Sequence, residues 1–156
     1  MKRILFITIL LAAIPAMAWS APEAVRVQDV IGIVRNAEGN GTIHRGNLST
    51  PAAVGTKLKT GDVLSTGPDG SIGIILRDNS SLSIGPQSSI DLQDFLFSPA
   101  EGKMSLIARL AKGTMAYMSG IIGKLAPESV RFETPVATIG IRGTCFVVNA
   151  GEPVPN

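Results

Sequence analysis

Turn-forming residues interrupt this chain so often that no long helix fits in it. Its 156 residues include 17 glycines and 10 prolines. Glycine weakens a helix interior and proline breaks it. From Val25 to Val34 a Val- and Ile-rich run reads as a strand, ended by the polar loop Asn36 to Gly41. Thr42 to Arg45 reads as its return strand, with a turn at Gly46-Asn47. Further turns fall at Gly67-Pro68-Asp69-Gly70, Arg77-Asp78-Asn79-Ser80 and Gly85-Pro86-Gln87-Ser88. Pro presets φ and Gly accepts positive φ at such places. A turn about every 8 to 12 residues is the spacing of compact all-β folds. The expected fold is therefore all-β: a single compact domain of short strands, β-roll or β-helix-like. At most one or two short helices are expected besides an N-terminal leader.

Alternation assigns the faces of the strands between these turns. In Ser71–Leu76, Ile72, Ile74 and Leu76 share one face and Ile75 points away; in Ser81–Ile84, Leu82 and Ile84 point inward. Ser89–Phe97 begins with Ile90 and Leu92 on one face, then switches parity to Phe95 and Phe97. A β-bulge near Gln93-Asp94 would return both rings to the core. Lys103 to Ala126 fits either a helical stripe (Leu106, Ile107, Leu110, Met115) or strand alternation (Met104, Leu106, Ala108, Leu110). Gly113 and Tyr117 favour two strands around a turn, and Ser119 to Leu125 can add one helical turn before Pro127. From Ser129 to Asn149, Val130 and Phe132 alternate with charged residues, Pro135 marks an edge or bend, and a bulge at Gly143 would bring Phe146 and Val148 inward.

The N-terminus has another purpose. Lys2 and Arg3 precede an apolar run, Ile4 to Ile14, broken only by Thr8; Pro15 and the small-residue pattern Ala16-Met17-Ala18 follow. This reads as a cleaved signal peptide over residues 1–20, since a spanning helix needs about 20 apolar residues. The β domain is expected over 25–149, with a flexible tail at 150–156, and no membrane span after signal cleavage. Removing Lys2 and Arg3 lowers Lys+Arg from 14 to 12, against 12 Asp+Glu. The remaining chain is formally neutral, which gives no electrostatic reason to bind nucleic acid. Cys145 is the only cysteine and lies in the apolar run Thr144–Val148, where it reads as a small buried hydrophobe.

One stretch of the chain carries an ordered series of short motifs that follows the pattern of a known family. The matching residues are Gly55-x-x-Leu58-x-x-Gly61-Asp62-Val63-Leu64-x-Thr66, then Asp78-x-Ser80-x-Leu82-x-Ile84, then Ser88-x-Ile90 and Gly113-Thr114-Met115-Ala116-Tyr117. The last segment, Thr134-Pro135-Val136-Ala137-Thr138-Ile139-Gly140-Ile141-Arg142-Gly143-Thr144-x-Phe146, is the most specific. Together these segments resemble the FecR domain family, over residues 54–148. The resemblance implies an all-β domain of short strands outside the cytoplasm and no known catalysis. Signalling members carry a cytoplasmic sigma-interacting region and a membrane helix before this domain. Here a signal peptide is expected in their place, so sigma-factor control is not carried over.

The motif residues Gly61, Asp62, Gly140, Arg142, Gly143 and Thr144 read first as structural. Asp62 can accept backbone N–H groups in an Asx-type turn. Arg142, between two glycines, can be held against a carboxylate, and Asp62 is the partner to test. His44 stands alone, Asp91 and Asp94 read as acids on a solvated edge, and no His–Ser–acid grouping is legible, so no catalytic, metal or cofactor site is expected. The expected function is a non-catalytic cell-envelope binding or scaffolding module, periplasmic or secreted. Its partner would be an envelope protein or a cell-wall or surface polysaccharide, met by strand-edge pairing or a polar rim. Ile75 and Ile121, read as exposed hydrophobes, and the edge near Pro135 are candidate contact points. An accessory role in a cell-surface signalling system is the alternative, and a hydrolase fits least.

Overall fold

The computed structural model describes residues 30–151. Twelve strands and one short helix follow in order: β1 Gly32–Glu38, β2 Gly41–Arg45, β3 Leu48–Pro51, β4 Lys57–Leu58, β5 Val63–Thr66, β6 Ser71–Leu76, β7 Ser81–Ile84, β8 Ser89–Ser98, β9 Lys103–Met118, α1 Ile121–Leu125, β10 Val130–Glu133, β11 Thr138–Gly140 and β12 Cys145–Ala150. They form one curled sheet, antiparallel except where β10 runs parallel to β9. The all-β expectation with few helices holds.

The sheet is folded into two leaves that share β9. One leaf runs β4-β1-β6-β7, then the second half of β9, then β12. The other runs β3-β2-β5-β8, then the first half of β9, then β10 and β11. The crease is a line of four bends: Gly39-Asn40, Gly67–Gly70, Gly85–Ser88 and Gly113. Neighbouring bends are bonded to one another. Gly67 N donates to Asn40 O at 2.8 Å, Gln87 N to Gly67 O at 2.9 Å, and Gly85 N to Thr114 O at 3.0 Å. Side chains reinforce the line, with Thr66 Oγ1 donating to Gly85 O at 2.6 Å and Ser88 Oγ accepting from Thr114 N at 2.9 Å. Gly113 has φ +88°, and a Cβ there would collide with Ser88, so both conformation and space require glycine.

Leucines and isoleucines from both leaves fill the space between them. Ile43, Leu64 and Ile90 on one side, and Ile72, Leu76 and Leu82 on the other, are all at most 2% exposed. Burying each such side chain is worth roughly 1.5–3 kcal/mol. Tyr117, Phe132 and Phe146 form an aromatic cluster, with centroids 4.8, 5.5 and 5.2 Å apart pairwise. These separations suit tilted and edge-to-face contact.

The register shift between Asp91 and Asp94 is the bulge that alternation required, and Phe95 and Phe97 pack against the core. Four local expectations are corrected. β1 and β2 do not pair as a hairpin; the bend between them sends each into a different leaf, β1 to β6 and β2 to β5. Gly113 does not separate two strands by a turn, because its positive φ bends β9 without interrupting it. Ile75 and Ile121 are half-buried rather than exposed, and β12 extends through the buried Ala150, one residue into the stretch assigned to the tail. Residues 1–29, with the expected signal peptide and cleavage site, lie outside the described residues.

Candidate functional site

Two fully buried carboxylates hold the ends of the strands. Asp62, in the turn before β5, accepts from Arg45 Nε on Oδ1 and from Arg45 Nη2 on Oδ2, both at 2.7 Å, and from Lys59 N at 2.8 Å. Arg45 also donates to Lys57 O at 3.0 Å, so one guanidinium clamps the end of β2 to β4 and to the β5 turn. This forked geometry is the strong form of an arginine–carboxylate pair. The hydrogen bond to Asp62 raises the Arg45 pKa further. The expected Arg142–Asp62 pair is therefore corrected: Arg45, seventeen positions from Asp62, occupies that carboxylate. Gly61 turns with φ +84° and donates its N–H to Leu92 O at 2.7 Å.

The second carboxylate, Asp78, lies in the β6–β7 turn and receives Ser80 N at 3.0 Å, Ser80 Oγ at 2.6 Å and Ile122 N at 3.3 Å. Ser80 Oγ in turn accepts Gly120 N at 3.0 Å and lies 3.1 Å from Tyr117 Oη. Burial pushes the Tyr117 pKa up, and its hydrogen bonds to Ser80 and Ser119 offset part of that. This network ties α1 to the β6–β7 turn and to β9. Its Asp-x-Ser spacing was visible in the sequence as part of a motif, but the buried tyrosine hydroxyl that completes it was not.

The remaining motif residues lie close to this network: Gly140 ends β11, and Arg142, Gly143 and Thr144 form the link from β11 to β12, next to Ser119. Arg142, Gly143, Thr144 and Cys145 are all exposed. Gly143 has φ +138°, whereas a Cβ on Gly140 would meet nothing. Ser119 anchors the link, its N donating to Thr144 O at 2.8 Å and its Oγ to Gly143 O at 3.3 Å. Cys145 is a correction to the buried reading: once Phe146 and Val148 turn inward, alternation turns Cys145 and Val147 outward. An opening of about 200 Å³ lies beside this link, lined among others by Ile139, Ile141, Arg142, Phe146 and Val148. Arg142 has no ion-pair partner among the described residues. Val136, at 93% exposure, and Pro135 project from the adjoining β10–β11 turn.

His44 is exposed with Thr42 Oγ1 3.2 Å from its Nε2, and Asp94 is engaged by Ser105 Oγ at 2.6 Å. Among the described residues no group of three or more His, Cys, Asp or Glu could hold a metal ion. No described helix is long and apolar enough to cross a membrane. Comparison with known families gives a match to the family described as FecR protein over residues 62–154, a stretch that begins at the buried Asp62 and takes in the link and β12. The curated proteins and the solved structures gave no match.

Proposed function

The chain belongs to the FecR protein family, whose members are regulatory and sensory components of the cell envelope, and on that premise we propose that it is a non-catalytic contact module of the envelope. One observation carries the reading. The buried acids are spent on internal bonds, while the uncharged strand β12 and Arg142, which has no ion-pair partner among the described residues, stand exposed beside an apolar opening. Such an edge offers backbone hydrogen bonds to an extended segment of another protein, and Arg142 offers a carboxylate receptor at its rim. A protein partner is favoured over a polysaccharide by the surface itself. Among the described residues Tyr117 and Phe132 are buried and Phe95, Phe97 and Phe146 are only partly exposed, whereas sugar rings are commonly held by stacking on open ring faces. Catalysis is disfavoured by the same geometry, since Asp62 is neutralised by Arg45 and Asp78 is saturated with donors.

A crosslinking pull-down from an envelope fraction tests this. Wild-type protein should capture a protein partner, and Arg142→Glu, with an unchanged circular dichroism spectrum, should lose it. Equal capture by the variant, or turnover of a hydrolase substrate by the purified protein, overturns the proposal.

A further inference from the structure

Asn40, on the crease between the two leaves, is the one asparagine in the chain that is followed by glycine. It is exposed, and its Nδ2 reaches Asp69 Oδ1 only at a long 3.4 Å. On the β5 side the bond at this point is made by Asn40 O, which accepts from Gly67 N at 2.8 Å. On the β3 side Gly41 O accepts from Ala52 N at 2.9 Å, and no bond returns from Gly41 to Ala52. Among the described residues the Gly41 N–H therefore has no acceptor. Gly41 also carries no Cβ to shield that nitrogen. Comparable places in the chain are restrained. At Asn79-Ser80 the following nitrogen, Ser80 N, is bonded to the buried Asp78 carboxylate at 3.0 Å. At Asp69-Gly70, Gly70 N donates to Gly67 O at 3.1 Å.

We propose that Asn40 and Gly41 form a site of self-modification, where water converts the asparagine to aspartate and isoaspartate, and that this conversion unlatches the crease. The Gly41 nitrogen gives up its proton to hydroxide and bonds to Asn40 Cγ. The Cγ–Nδ2 bond breaks, and Nδ2 takes a proton from water and leaves as ammonia. Water then opens the resulting five-membered imide at either of its carbonyls. Opening at Cγ leaves an ordinary aspartate. Opening at the backbone carbonyl gives isoaspartate, in which the main chain runs through Cβ and Cγ and is longer by one methylene. Both products strain the crease. A Cβ on Gly70 would collide with Asn40 O, and one on Gly67 would come within 3.1 Å of Asn40 Cβ, so the longer main chain parts Asn40 O from Gly67 N. The aspartate product replaces the N–H donor beside Asp69 with a second carboxylate, and attraction becomes repulsion. Gly67 O in turn holds Gln87 N at 2.9 Å, which carries the disturbance to the next bend.

The test incubates the wild-type protein in warm, mildly alkaline buffer and follows each asparagine by peptide mass mapping, with an isoaspartyl methyltransferase to label isoaspartate. Asn40 should convert first, with the mass gain of an amide exchanged for an acid. Releasing Ser80 N means giving up a hydrogen bond to a charged group, so Asn79 should lag behind Asn40 by at least about tenfold. Converted protein, separated by ion exchange, should unfold at a lower urea midpoint than the unconverted fraction. Asn40→Gln, whose longer side chain would have to close a six-membered ring, should keep its mass and its midpoint through the same incubation. Should that variant fail to fold, Gly41→Ala takes its place and should slow the conversion; its Cβ would first meet the end of the Ile72 side chain, at 3.0 Å. An Asn40 that stays intact, or that converts no faster than Asn79, overturns the site. Conversion that leaves the urea midpoint where it was overturns the latch.

Discussion

Removing one oxygen atom from the interior, by Ser80→Ala, should destabilise this domain more than deleting many larger surface groups. Ser80 Oγ donates to Asp78 Oδ2 at 2.6 Å, accepts from Gly120 N at 3.0 Å and lies 3.1 Å from Tyr117 Oη. Ser80 and Asp78 are 0% exposed and Tyr117 1%, so water does not replace the lost partner without opening the structure. The substitution strips a charge-assisted bond from Asp78, worth roughly 1.5–3 kcal/mol, and orphans the Gly120 N–H, at roughly 1–3 kcal/mol. Relaxation around the site recovers part of this, and a net loss of about 3 kcal/mol follows. For a domain of this size that corresponds to a fall in Tm of roughly 10 °C. Tyr117→Phe, which removes one shared bond and leaves Asp78 and Gly120 satisfied, should cost only about 1 kcal/mol. Urea unfolding of the two single variants and the double variant measures both costs and their coupling. The double variant should be less destabilised than the sum of the singles, because both break the same Ser80–Tyr117 contact. A Ser80→Ala cost below about 1 kcal/mol, or strict additivity in the cycle, would refute the hub role of Ser80.

Two further outcomes follow from the charged and ionisable groups. Arg45→Ala should cost about 2–3 kcal/mol in urea unfolding, less than the 3–5 typical of a wholly buried pair because the Arg45 side chain is 44% exposed, whereas Arg142→Ala should stay within about 0.5 kcal/mol. The reverse ranking would show that Asp62 is held by Arg142 after all. Because burial raises the Tyr117 pKa above its usual value near 10, the folded state holds that proton more tightly than the unfolded chain. Stability should therefore be undiminished by this group below about pH 10 and fall as pH rises through the raised value; Tyr117→Phe should flatten that fall in urea midpoints taken across the alkaline range.

The turns were the most legible part of this fold, for a local reason. Gly67-Pro68, Gly85-Pro86 and Asp78-Asn79 restrict φ through their own covalent structure, so four neighbouring residues suffice to place a bend. The bulge before Phe95 was equally local, because a parity switch among large apolar residues has few other remedies. Pairing was not legible in the same way. The Gly39-Asn40 bend looks like the tip of a hairpin, yet whether the chain returns beside itself or crosses into the other leaf depends on Gly67 and Gln87, far along the chain. Gly113 poses the same difficulty: positive φ serves a turn and a bent strand alike, and Ser88 decides between them. Asp62 could be recognised as a turn acid, but Arg45 and Arg142 both lie at distances that only the folded chain reveals. The exposure of Cys145 was implied by the inward turn of Phe146 and Val148, and an apolar neighbourhood was the weaker guide.

The sharing of one long strand between both leaves bears on when the molecule can acquire its shape. Lys103–Met118 is the ridge beam on which β7, β8, β10 and β12 all rest. Until Met118 is in place, β7 and β8 each lack one neighbour and β12 has no strand to pair with. A break in this one strand would therefore open both leaves together.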